Sequence, residues 1–397
     1  MTIRRSKMAN DLTVTQIASV VNSIMEEVTG EQATTNTIDT SKFVNVAQTA
    51  LKTGYDPLAV GISQVLSRTI MSVRPYDRKF SGMMRTNEQW GDHTRKIQFV
   101  DRDATDNDAF KLVNGQSVDM YKVALEDVLQ TNFYGQSTFD FFETFTRRQL
   151  ASAFHSPEEL ARYFSAKMLH IKNQREQRLE NLNRFTLCNF IAGKTLADPG
   201  NVLHLVTMYN AEKGTSLTSE TVMQASNFED FARWMYAKLE TLAGYMSERT
   251  AKYHMNITGS TIMRHTPARN LKMYMLASFE NEVKTEVLAT TYNDSYLRFA
   301  DHERVNWWQN PNAVAAINVK ASYTGTDGAV KTSKEKTEVN KVIGVLFDEE
   351  AIGSTIVDEH ANTTPQNAFG DYYNMAWKGV YKYWNDFTEN AIVLCLD

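Results

Sequence analysis

Residues 372–387 read YYNMAWKGVYKYWNDF, and their side chains alternate in character. Tyr373, Met375, Trp377, Gly379, Tyr381 and Tyr383 fall on one side, and Asn374, Ala376, Lys378, Val380, Lys382 and Trp384 on the other. A period of two is the mark of a half-buried strand with one wet face. At about 3.3 Å per residue this stretch would run roughly 50 Å, against about 5–6 residues for an ordinary strand. A chain that carries it is expected to build something elongated. Trp377 falls on the face expected to be buried. Trp384 falls on the opposite face, where only a neighbouring subunit is expected to cover it.

A long helix is expected beside it. Ser156-Pro157-Glu158-Glu159 forms a capping box with proline at the first helical position. Leu160, Phe164, Met168, Ile171, Leu179 and Leu182 then recur at helical spacing. The helix is expected over residues 157–192, roughly 54 Å at about 1.5 Å per residue, with Gly193 as its stop. Its middle, KNQREQRLENLNR, is polar apart from two leucines, and it includes Lys172, Arg175 and Arg178. Such a helix spans a domain as a spine.

Residues 11–30 carry one apolar helical stripe through Val14, Ile17, Ala18, Val21, Ile24, Met25 and Val28, and Gly30 ends it. A polar linker and further short helical pieces follow to about residue 70, which reads as an arm that packs on something else. Over residues 85–123 a long hairpin is expected. HTRKIQFV rises, DRDATDNDAFKLVNGQ turns and SVDMYKVAL returns. Asp101, Asp103, Asp106 and Asp108 crowd its tip, offset locally only by Arg102 and Lys111. Carboxylates suit a hard cation, but the order of an EF-hand loop is lacking, so a solvated loop is the better reading. Residues 206–343 read as mixed α/β, with helices over 228–246 and about 270–288, strands in AINVKASY and VNKVIGVLF, and a turn in TGTDGA.

The length of 397 residues favours two or three substructures. A net charge of −5 argues against a grip on nucleic acid by bulk charge. The abundance of aromatics and methionine suits either subunit interfaces or a large ordinary core. Cys188 and Cys395, far apart and in apolar stretches, read as buried free thiols. No apolar run approaches the roughly 20 residues of a membrane span. The basic start lacks an apolar signal region, so synthesis in the cytosol is expected. The chain lacks a phosphate loop, GxSxG, HExxH and CxxC, and its histidines are scattered. Asp348-Glu349-Glu350 with Asp358-Glu359-His360 is the densest acidic cluster, and a solvated edge is its commoner meaning. Asp371 and Asp386 flank the long strand as polar ends. No catalytic, cofactor or metal residue is therefore assigned, and the chain is not expected to be an enzyme.

Three stretches carry a resemblance: RTIMSVRPYDRKFSGMMRTNEQWGDHTRKI, SPEELARYFSAKMLHI and AFGDYYNMAWKGVYKYWNDFTENAIVLCL. With the order of arm, hairpin, capped helix, α/β region and long strand, the chain resembles the major capsid protein of tailed phages. The fold implied is α+β of the Hong Kong 97 type, nearest to the phi-29-like podovirus group. The resemblance implies an N-terminal arm (1–66), a P-domain segment (67–84), an E-loop (85–125) and a P-domain with the spine helix (126–205). An A-domain (206–348) and a return to the P-domain with the long strand (349–397) follow. Many copies, as hexamers and pentamers, would close into an icosahedral shell around a double-stranded DNA genome held by non-specific contacts only. A scaffolding protein and a portal are the further partners implied, with no membrane and no cofactor. Assembly in the bacterial host cytoplasm and residence in the virion follow. An encapsulin-like bacterial compartment is the alternative on the same fold, and a metal-dependent hydrolase using the acidic clusters is a third reading. The E-loop of this fold lies over a neighbour, so the four tip aspartates are expected to meet Lys172, Arg175 and Arg178 of an adjacent subunit. Val14, Ile17, Val21 and Ile24 are expected to pack on a neighbour or on scaffold. Lys111 lies in the loop where some relatives crosslink, but no matching Asn is assigned.

Overall fold

A computed structural model describes residues 79–85, 94–146, 157–286, 302–365, 367 and 369–397, with the backbone alone at 81, 157–169, 286 and 373. The stripe of Val14, Ile17, Val21 and Ile24, and the capping Ser156, lie outside the described residues.

In chain order the strands are β1 (Thr94–Phe99), β2 (Val128–Phe133), β3 (Gln136–Thr146), β4 (Val202–His204), β5 (Leu271–Leu276), β6 (His302–Val305) and β7 (Ile317–Val319). They continue with β8 (Ser322–Thr324), β9 (Val330–Thr332), β10 (Thr337–Val339), β11 (Val342–Asp348), β12 (Ile352–Thr363), β13 (Tyr372–Asn385) and β14 (Ala391–Cys395). The helices are α1 (Pro157–Ala197), α2 (Leu205–Lys213), α3 (Ser219–Val222), α4 (Ala225–Ser247) and α5 (Ala277–Glu286).

Helix α1 begins at the expected proline and runs 41 residues, about 62 Å at ~1.5 Å per residue. It does not stop at Gly193. A Cβ there would come within 2.5 Å of the Phe387 ring, so this glycine serves close packing within the helix. The C-terminal part of α1, through Leu187, Cys188, Phe190, Ile191 and Ala192, is buried in the main core.

That core surrounds a five-stranded sheet of order β4-β14-β11-β5-β6. Strand β11 is antiparallel to β14 and β5, while β4 and β6 pair parallel at the edges. All seven residues of β11 and all five of β14 are buried. A continuous apolar run is what a strand covered on both faces requires. Helix α4 covers the sheet through Phe228, Phe231, Ala232, Met235, Leu239, Leu242 and Met246, one stripe at helical spacing. The helix expected over 270–288 is corrected in its first part. LKMYML forms β5, because it pairs with β11 on one side and β6 on the other, and only then does α5 begin.

The second sheet is antiparallel, of order β12-β13-β3. Strand β13 is 14 residues long, about 46 Å at ~3.3 Å per residue. Met375, Trp377, Gly379 and Tyr381 are buried, while Lys378 between them is exposed. The strand ends at Asn385. The chain then turns through 386–390 and enters the other sheet as β14, joining the two sheets.

Both thiols are free and buried. Burial pushes Cys188 up to about 12 and Cys395 up to about 11, so neither is a thiolate near neutral pH.

Candidate interaction surface

Strands β1 and β2 pair from Thr94↔Phe133 to Phe99↔Val128, and the Val100 amide donates to the Asp127 carbonyl at 2.9 Å. The return strand is therefore β2 and not SVDMYKVAL, which forms no strand. Its Met120, Tyr121, Val123 and Leu125 are all exposed. From Arg102 to Val128 every residue is exposed. Phe110 stands at 89 % exposure, the highest among the large hydrophobic residues of this loop. It sits on a short turn, Asp108–Lys111, held at its start by Asn107, whose Oδ1 accepts from the Ala109 amide at 3.0 Å. A second turn brings the Gln116 amide to the Val113 carbonyl at 2.9 Å, with Gly115 at φ 88°. Only glycine takes that angle without strain. An apolar surface of this extent on one loop is a surface awaiting a partner.

The loop base is clasped to the body. Lys96 on β1 reaches both Asp386 and Glu389, and Arg264 Nη1 lies 2.6 Å from Glu389 Oε1. Thr388 donates to Asp386 Oδ1 from its amide at 2.9 Å and from its hydroxyl at 2.6 Å. Burial works to raise the Asp386 carboxyl, but Lys96 and Thr388 more than offset it and hold it below the usual range. Glu389 differs. Burial pushes it up to about 7, with Lys96 and Arg264 offsetting only part. A carboxyl raised in this way holds more protons folded than unfolded between the ordinary glutamate range and about pH 7, so stability falls as pH rises through that window. Thermal melts from about pH 5 to about pH 8 are expected to show a smaller decline for Glu389→Gln than for the parent. An equal decline would assign the slope to other groups.

The tip aspartates divide. Asp101 turns back onto its own chain, accepting from Arg249 and, at 2.6 Å, from the Met263 amide. Asp106 pairs with Lys111, and Arg102 lies 3.6 Å from Asp127. Asp103 and Asp108 are exposed with no ion pair among the described residues. On α1, Arg175 is engaged within the chain, its Nε and Nη2 each 2.6 Å from Glu359. Tyr381 also donates its hydroxyl to Glu359, and burial drives that phenol far above its ordinary range. Lys172 is half-buried, and Arg178 is exposed with its guanidinium 5.9 Å from the Phe139 ring centroid.

Trp377 is covered within the subunit. Trp384 needs a correction, since its own chain supplies part of its cover. Gly353 lies opposite it in register, and a Cβ there would come within 2.1 Å of the indole. The ring lies across β12, and its Nε1 donates to the Glu350 carbonyl at 3.3 Å. The acidic cluster is used structurally. Asp348 accepts from the Thr266 hydroxyl at 2.7 Å, Glu349 lies 3.7 Å from Arg85, and Asp358 lies 2.7 Å from His360. Among the described residues no group of His, Cys, Asp and Glu is arranged to hold a metal ion. Lys96, Arg264 and Glu389 escaped the sequence reading, although a glutamate inside FTENAIVLC was a signal of a buried charge needing a partner.

The model of the Phi29-like phage major capsid protein family matches residues 21–395, nearly the whole chain. The chain belongs to that family. Comparison with curated proteins finds no match. Among solved structures, this capsid protein is similar to a chain in the capsid structure of Staphylococcus phage Andhra. The two share 10 % identity over 82 % of this chain and 86 % of that one, with a TM-score of 0.53. It is also similar to a chain from the structure of the head fiber and inner core protein gp22 of native bacteriophage P68. There the identity is 9 % over 82 % and 86 %, with a TM-score of 0.52. At such identities the likeness is one of fold, the Hong Kong 97-like capsid fold. This capsid protein is thus a structural component of a tailed-phage shell, and its place is the virion capsid.

Proposed function

We propose that residues 85–125 are the E-loop, and that its exposed part from Arg102 onward lies on a neighbouring subunit as hexamers and pentamers close into an icosahedral shell. The observation that carries this reading is the apolar loop surface, left bare by the described residues. Residues 1–66 act as an arm, with Val14, Ile17, Val21 and Ile24 packing on a neighbour or on scaffold. The P-domain comprises 67–84, 126–205 and 349–397, and the A-domain comprises 206–348. Assembly takes place in the host cytoplasm with a scaffolding protein and a portal. The packaged double-stranded DNA is held by non-specific contacts only, for which the net charge of −5 supplies a reason. The chain has no catalytic duty in this reading.

Expression of the full chain, with its scaffold where one is encoded nearby, tests it by negative-stain microscopy. Closed shells are expected. Replacing residues 103–124 by a short Gly-Ser link is expected to leave folded subunits that make none. Shells of normal size from that variant would overturn the loop's role. Asp103 and Asp108, which have no ion pair among the described residues, carry any acidic contact to Lys172 and Arg178 of a neighbour. Each such exposed pair contributes only about 0.2–1 kcal/mol, but salt screens all of them together. Asp103→Asn with Asp108→Asn is expected to flatten the salt dependence of shell stability. An unchanged response would remove these residues from the contact.

A further inference from the structure

Between α1 and the sheet β12-β13-β3 lies an open pocket. Phe139, Phe141, Ile171, Trp377 and Tyr381 form its apolar walls, with Arg175 among them. Phe139 and Tyr381 stack at 4.7 Å and 6°, which gives the pocket a flat aromatic side. Its polar groups are mostly satisfied, because Arg175, Glu359 and Tyr381 bind one another. One is not. Trp377 is 6 % exposed, and its Nε1 is buried without a hydrogen-bond partner. An unpaired buried donor is unfavourable, and in native structures such groups are nearly always matched. The reachable lining of the pocket is aromatic and apolar, which suits an apolar or aromatic side chain.

Charge narrows the occupant. Lys172, Arg178 and Lys378 belong to the same two elements, and none has an ion pair among the described residues. The exposed loop offers the opposite sign around a projecting ring. Phe110 stands on the turn Asp108–Lys111, with Asp103, Asp106 and Asp108 just before it. We propose that the partner subunit's Phe110 enters this pocket and packs against its aromatic walls. The partner's Asp103 and Asp108 then face Lys172, Arg178 and Lys378. The inference rests on the shell reading above and names the point at which the loop is gripped.

Shells of the full chain carrying Phe110→Cys and Ala361→Cys test it, since Ala361 lines the pocket. After mild oxidation, a non-reducing gel is expected to show a ladder of linked subunits. Either single variant is expected to show none, because Cys188 and Cys395 are buried. Intact shells without a ladder, or with a bond only within one chain, would overturn the docking and leave the shell reading standing. Failure of the parent chain to form shells would instead overturn the shell reading. A double-mutant cycle of Phe110→Ala and Trp377→Phe covers the case in which the cysteine variants do not assemble. Their effects on shell dissociation are expected to be non-additive, as for residues in contact. In unassembled subunits Phe110→Ala is expected to be silent. Additive effects on the shell would overturn the proposal.

Discussion

Trp308→Ala is expected to destabilise the subunit by about 3–5 kcal/mol, the range for removing a large aromatic from a packed core. Trp308 is fully buried, and its Nε1 donates to the Val342 carbonyl at 2.7 Å. Its own carbonyl accepts from the Cys188 thiol at 3.4 Å and from Arg184 Nη1 at 3.4 Å. One residue therefore ties the C-terminal part of α1 to the central strand β11. Alanine leaves a cavity and strips the Val342 carbonyl of its donor, and both effects have the same sign. Set against a typical stability of about 5–15 kcal/mol, the loss is a large fraction of the whole. Chemical denaturation of unassembled subunits measures it. A loss below about 1 kcal/mol, the scale of one ordinary hydrogen bond, would mean that the site collapses freely and that α1 is held elsewhere.

The second large effect concerns a buried ion pair. Lys194, on α1, has no exposed surface, and its Nζ lies 2.8 Å from Asp198 Oδ2. The two charged groups form a short i,i+4 ion pair. Burial draws the Lys194 ammonium below its ordinary range, and Asp198 and Asp386 restore only part of it. Removing one partner of such a pair strands a charge in the interior. Asp198→Ala is expected to destabilise by about 3–5 kcal/mol. Adding Lys194→Met to it is expected to recover much of that loss, because the stranded charge is then gone. Denaturation of the single and double variants decides the matter. Equal stability of the two would show that Lys194 reaches water, or sheds its proton, at little expense.

Features that depend on near neighbours along the chain follow from residue order alone. A period of two placed Met375, Trp377, Gly379 and Tyr381 on one buried face of β13. A period of 3.6 and a proline placed the start of α1 and the buried stripe of α4. Apolar surroundings were enough to bury Cys188 and Cys395. These patterns are local, since backbone geometry sets which side chains share a face.

Features that depend on residues far apart in the chain were set by the fold. Gly193 read as a stop until Phe387 was found against it. LKMYML reads equally as strand or helix, and pairing with β11 and β6 made it β5. The return of the hairpin passed from SVDMYKVAL to β2, because a strand exists only where a partner accepts its hydrogen bonds. The charges followed the same rule. Asp101 went to Arg249, Arg175 to Glu359 and Lys96 to Asp386 and Glu389, all pairs made by the fold's apposition of distant segments. Trp384 found its cover on Gly353 across a strand pair. Periodicity tells which face of an element seeks burial, and only the fold supplies the partner that buries it.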